Sequence, residues 1–229
     1  LPLEVALQAA GGNKKELQKV LHCYKKNPID SLKYKAACFL IENMPFYIYS
    51  SGEQLENYKS YYAWLKVRKG KTAQQVSDSV KKVFGAMKPW GKNISFETFC
   101  EYLLPYRIGD EPLTYWREIY YKKYNSLLDS LRMSDTLDKE DPLVAARYLM
   151  ARLPDKKTFF TSITPFSFGH IGPEFVQYKV GSCRELADFE IYLFRALGIP
   201  CAIDYLPARN DTNFGHLWTI VWDKNGEGY

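Results

Sequence analysis

Histidine occurs only three times in the 229 residues, as His22, His170 and His216. Three scattered imidazoles do not make a zinc-type ligand set, so no metal site is expected. The five cysteines (Cys23, Cys38, Cys100, Cys183 and Cys201) show no CxxC spacing and no small disulfide framework. Their odd number leaves at least one free thiol. No run of residues is long and apolar enough to span a membrane, and no repeat of fixed period is visible. The net charge of +5 is mild, and its lysines are spread along helical stretches, as in Lys14-Lys15, Lys25-Lys26 and Lys81-Lys82. That pattern describes a solvated face and comes with no nucleic-acid module, so no nucleic-acid partner is expected.

What is present is apolar and aromatic. A hydrophobic content of 46% suffices for a real core, and 16% aromatic residues point to large packed surfaces between helices or, as the alternative, to a lined groove. The length allows one large domain or two small ones. Residues 3–10 and 14–26 read as helices broken at Gly11-Gly12 and Asn27-Pro28. Asp30 or Ser31 caps a third helix through Asn43, stopped by Met44-Pro45. Helices follow over 53–68 and 72–84. Ser95 caps another through Leu104, Glu111-Pro112 starts one running to Leu131, and Asp141-Pro142 starts one to Leu153. Residues 155–180 change character, being extended and loop-rich with a strand near 158–163. The expected fold is α+β: a helical N-terminal domain over residues 1–153, then a smaller mixed domain over 154–229.

The most informative stretch is 181–200, Gly-Ser-Cys-Arg-Glu-Leu-Ala-Asp-Phe-Glu-Ile-Tyr-Leu-Phe-Arg-Ala-Leu-Gly-Ile-Pro. Ser182 with Glu185 makes a capping box, which puts Cys183 on the first helical residue. Leu186, Phe189, Leu193, Ala196 and Leu197 recur at helical spacing and give one buried face. Gly198 stops the helix and Pro200 prevents a restart. A thiol at a helix mouth meets unpaired N–H groups and the positive end of the dipole, both of which favour the nucleophilic thiolate. The competing reading is a small buried residue at a helix start, and the helix alone does not decide between them. Downstream, Cys201–Leu206 reads as a strand, Pro207–Gly215 as a loop and His216–Trp222 as a second strand, with His216, Trp218, Ile220 and Trp222 on one face. Asp223 to Gly226 is a hairpin turn.

Gly181-Ser-Cys183, Leu197-Gly-Ile-Pro200 and Gly215-His216-Leu-Trp218 together resemble the core of the transglutaminase-like superfamily. The resemblance implies a partial papain-like domain with a Cys-His-Asp triad. Leu40-Ile-Glu-Asn-Met-Pro45 and Glu101-Tyr-Leu-Leu-Pro-Tyr-Arg107 also resemble transglutaminase-domain proteins of gut Bacteroidetes, which implies an exported protein, periplasmic or a surface lipoprotein.

On this resemblance the expected function is cysteine-dependent acyl transfer or amide hydrolysis on a protein, peptide or glycopeptide, through a thioester and without a cofactor. Cys183 and His216 are the expected catalytic residues. Gln177 is a candidate oxyanion donor, with an ordinary surface glutamine as its alternative, and Trp218 is a candidate site wall, with core packing as its alternative. The triad acid is expected to be missing from the chain: Asp223 sits where the turn should be, and the chain reads as truncated before the strand that would carry the acid. The competing function is a non-catalytic protein- or glycan-binding module on the same scaffold. Glu101, Tyr106, Arg107 and Asp110 read as a structural ion-pair cluster, with substrate binding as the alternative, and Tyr47, Tyr49, Tyr61 and Tyr62 as packing, with the lining of a peptide or sugar groove as the alternative.

Overall fold

Among the described residues the first part of the chain is helical, with Gly11, Pro28 and Pro45 following its three helices. The computed structural model describes residues 1–46, 89–111, 113–153, 170–177, 181–208 and 215–229. The expected helices over 53–68 and 72–84, the strand near 158–163, and Tyr47, Tyr49, Tyr61 and Tyr62 lie outside those residues. Two compact units are formed, one by residues 1–80 with 106–114 and one by residues 81–105 with 115–229.

In the first unit α1 spans Leu3–Ala9, α2 Lys14–Lys25 and α3 Ser31–Asn43. Their facing sides bury Leu7, Leu17, Leu21, Tyr24, Leu40 and Ile41. The Asn27 side chain accepts from Ile29 N and starts the short turn Pro28–Asp30. Asp30 occupies the N-cap of α3 but makes no capping bond. Its carboxylate instead meets Lys33 Nζ at 2.7 Å. Glu111 also behaves otherwise than expected. It is buried and accepts from the backbone N–H groups of Ile108 and Gly109, at 2.6 and 2.8 Å. A carboxylate committed to the preceding turn does not open a helix, and the next one begins at Trp116.

The second unit opens with the turn Pro89–Gly91 and with α4, Phe96–Thr98, where Ser95 accepts from Thr98 N. This helix widens into a π-turn over Phe99–Leu103 before Pro105. Then come α5 (Trp116–Tyr124), a 3₁₀ turn (Asn125–Leu128), α6 (Asp129–Arg132) and α7 (Pro142–Arg152), the last capped by Asp141 as expected. A short helix α8 (Pro173–Val176) precedes α9 (Cys183–Leu197). Strands β1 (Cys201–Leu206) and β2 (His216–Val221) pair antiparallel, from Cys201 opposite Val221 to Leu206 opposite His216. Among the described residues these strands are the only ones, so the fold is α+β with its sheet at the C-terminal end. No helix among the described residues is long and apolar enough to cross a membrane.

The packing centres on α9. Sequence periodicity suggests one buried face, but every residue from Ile191 to Cys201 is buried. The helix is covered on one side by the hairpin, where Cys201 Sγ lies 3.8 Å from the Ile191 carbonyl. On another side α5 lays down aromatic rings. Trp116 meets Tyr192 edge-on at 4.9 Å, and Tyr120 and Tyr124 each lie 6.1 Å from Phe189. Such ring pairs add to the area they bury.

A buried helix end leaves carbonyls without partners. Gly198, at φ 84°, takes the left-handed conformation that closes α9. Trp90 Nε1 donates to the Leu197 carbonyl at 2.9 Å. Arg117, only 5% exposed, donates to the carbonyls of Arg195, Leu103, Leu104 and Pro105 at 2.6–2.9 Å. One guanidinium thus closes the C-terminal ends of two helices, where the dipole favours a cation. Burial, and then the nearby Arg195 charge, push its pKa well below the ordinary arginine value. Arg117→Met strands these carbonyls in the core and is expected to cost about 3–5 kcal/mol. Arg117→Lys, without the planar fork, recovers only part of that loss. Urea unfolding reads both, and a midpoint unchanged in Arg117→Met would show that the carbonyls find other donors.

Candidate active site

Cys183 is the first residue of α9 and is half-buried. The capping box read from the sequence is formed. Ser182 Oγ accepts from Arg184 N, and the buried Glu185 carboxylate accepts from both the N–H and the hydroxyl of Ser182, at 2.6 and 2.7 Å. Gly181 is required by this arrangement. Its φ is 153°, and a Cβ there would lie 2.4 Å from Glu185 Cβ and 2.7 Å from its Oε2. The backbone before the cysteine and the acid after it share one space, which only glycine leaves open.

His216 stands at the first position of β2, opposite Leu206, and is exposed. Its ring lies 5.9 Å from that of Trp218, tilted by 34°. The hairpin face carrying Cys201, Thr219 and Val221 is the one turned to α9. Cys201 touches the Ile191 carbonyl there, and Thr219 neighbours Glu190, whose carboxyl pKa is raised chiefly by burial. His216 and Trp218 alternate onto the other face. Cys183 and His216 are each at the end of the element expected to carry them, but the structure does not bring thiol and imidazole into a hydrogen bond. Alternation was legible in the sequence, whereas the face that meets the helix is set by which residues α9 accepts.

The other candidates are placed as follows. Gln177 is half-buried just after α8, and its amide donates to the Glu174 carbonyl at 3.0 Å. Trp218 is 39% exposed. Asp223 belongs to its own turn, where its Oδ1 accepts from the N–H groups of Asn225 and Glu227 at 2.8 and 2.9 Å. Those bonds, the one from Glu227 foremost, hold its carboxyl below the usual range. The turn then returns the chain, and Val221 and Tyr229 exchange two backbone bonds of 2.9 Å.

One imidazole–carboxylate pair is already made, and sequence reading missed it. His170 Nδ1 lies 2.8 and 2.9 Å from the two oxygens of Asp188, a fully buried residue of α9. The available signal was an acid inside the buried phase of the helix, next to Phe189. The five cysteines are free thiols. Burial pushes Cys100 up to about 12, helped by the charges of Glu97 and Glu101, and burial likewise pushes Cys201 up to about 12. Among the described residues no group of three or more His, Cys, Asp or Glu side chains can hold a metal ion.

Gly181→Ala is expected to lose about 1–3 kcal/mol through backbone strain, with the loss of the Glu185 cap in addition. Chemical denaturation measures it, and an unchanged midpoint would mean that Glu185 can swing aside at no cost.

Comparison with known families bears on this region directly. Curated proteins and solved structures give no match. The family model of the transglutaminase-like superfamily matches residues 132–229. That span runs from the end of α6 through α9 and both strands, so the part of the chain that carries Cys183 and His216 is the part similar to that superfamily.

Proposed function

We propose that the protein is a cysteine-dependent acyltransferase or amidohydrolase acting on a protein, peptide or glycopeptide amide. The observation that supports this best is the half-buried thiol at the first residue of a capped helix, inside the stretch matched by a superfamily that includes cysteine-dependent acyltransferases. In this reading the Cys183 sulfur attacks the amide carbonyl, and the tetrahedral oxyanion meets backbone N–H groups at the helix mouth. The C–N bond then breaks, the amine leaves with a proton from the imidazole, and a thioester remains. Water or a second amine attacks the thioester and frees the thiol. His216 is the proposed proton carrier, which requires its ring to reach the sulfur during turnover. Gln177 is proposed as a further oxyanion donor, and Trp218 as a wall beside the imidazole. Export to the periplasm or cell surface is part of the same proposal.

A second reading is supported by the outer face of the hairpin. Leu206, 43% exposed, and Trp218, 39% exposed, flank His216 on that face, which suits contact with a peptide or glycan without chemistry.

Peptide-level mass spectrometry after iodoacetamide treatment separates the two. At mildly acid pH Cys183 is expected to be alkylated ahead of the exposed Cys23, while Cys100 and Cys201 stay unlabelled. Turnover of glutamine-containing peptides is expected to fall at least about 10³-fold in Cys183→Ala and about 10²–10⁴-fold in His216→Ala. Labelling of Cys23 before Cys183, or turnover that survives Cys183→Ala, would sink the enzyme reading. Peptide binding untouched by Cys183→Ala but lost in Trp218→Ala would favour the second.

A further inference from the structure

The His170–Asp188 pair has no part in the chemistry proposed above, and its position is costly. Asp188 is 0% exposed, on the helix that begins with Cys183. The rings of Tyr120 and Phe189 pack together beside it, and Tyr120 is close enough for the Asp188 charge to help raise its phenol pKa, after burial and Tyr124. A buried polar pair is often no more stabilising than apolar side chains of similar volume, and the best-attested use of such pairs is to fix one arrangement against its alternatives.

The partner shows what is being fixed. His170 begins the segment 170–177, which has a second tie to its surroundings. Tyr120 Oη donates to the Pro173 carbonyl at 2.8 Å. Val176 N donates to the Gly172 carbonyl at 3.2 Å, closing α8, and Ile171 and Val176 are buried. The segment is therefore tied to α9 at Asp188 and to α5 at Tyr120. Only residues 178–180 separate Gln177 from Gly181, where the backbone must keep its unusual φ for Glu185 to reach Ser182. A segment fastened so close upstream limits how far Gly181 and Ser182 can move.

We propose that His170 and Asp188 are positioning residues that clamp the segment 170–177 onto α9 and so hold the mouth of the cysteine helix in a single arrangement. The role in catalysis rests on the reading of Cys183 as nucleophile, whereas the clamp itself rests on the contacts alone. The imidazole takes no proton from substrate in this scheme. It acts through the backbone that presents Cys183, and small displacements at a reacting centre reduce rates steeply.

Hydrogen exchange on the full chain tests the clamp. In His170→Ala the amides of Ser182 to Leu186 are expected to exchange at least about tenfold faster, while those of Leu193 to Leu197, at the other end of the helix, keep their protection. The alkylation rate of Cys183 relative to Cys23 should fall in parallel. His170→Gln, which can still donate a hydrogen bond to Asp188, should restore both readouts most of the way. Should His170→Ala not fold, Asp188→Asn, which keeps the shape and an acceptor oxygen, is expected to give the same localised change at smaller amplitude. Exchange that accelerates equally along the whole helix, or not at all, in the folded variants would overturn the clamp. Wild-type Cys183 reacting no faster than Cys23 would instead remove the nucleophile reading, with the exchange pattern still deciding the clamp.

Discussion

A helix buried along most of its length must satisfy its last carbonyls without water, and the second unit is arranged around meeting that requirement for α9. Arg117 from α5 and Trp90 from the turn before α4 reach the carbonyls of Arg195 and Leu197. The same guanidinium closes the end of the π-turn at Leu103 to Pro105. Arg195 extends the pattern: its Nε donates to the Tyr102 carbonyl at 3.1 Å. Three side chains thus connect helix ends that would otherwise carry unpaired acceptors in an apolar interior. The aromatic contacts of α5 with Phe189 and Tyr192 supply area, and the arginines determine which helix end faces which.

Local signals were legible wherever the partners are close in sequence. Ser182, Glu185 and Gly198 fix both ends of α9 within the helix itself, and the structure forms the cap as read. Asp141 and Pro142 likewise fix the start of α7. Asp223 could be assigned to a turn because Asn225 and Gly226 follow it, and its carboxylate does serve that turn. The features that could not be read are those made between distant residues. Nothing local marks Arg117 as a cap for Arg195, and nothing near Asp188 names His170 as its partner. Glu111 shows the limit even at short range: an acid before a proline has the pattern of a helix start, yet its oxygens are taken by Ile108 and Gly109 behind it.

The candidate site divides along the same line. The thiol's location follows from the capping box, a local device. The location of His216 follows from strand alternation, which fixes that His216 and Trp218 share a face but leaves open which face the helix covers. Packing of Cys201, Thr219 and Val221 toward α9 answers that, and it sets the imidazole on the other side. The helix mouth therefore has its fixed elements, Gly181, Ser182 and Glu185, in place independently of the hairpin.

The long-range caps also order events during synthesis. Trp90 precedes its acceptor by 107 residues and Arg117 precedes the Arg195 carbonyl by 78. At about 5–20 residues per second, a ribosome takes roughly 5–20 s to supply the first of those acceptors after the tryptophan has been made. Once made, α4 and α5 present an apolar, aromatic face and an arginine with no α9 carbonyl to close until that helix follows. The nascent chain must shield that surface or leave it hydrated until residues 183–201 emerge. The cysteine helix is thus made after the helices that close its end, and it is the element on which they assemble.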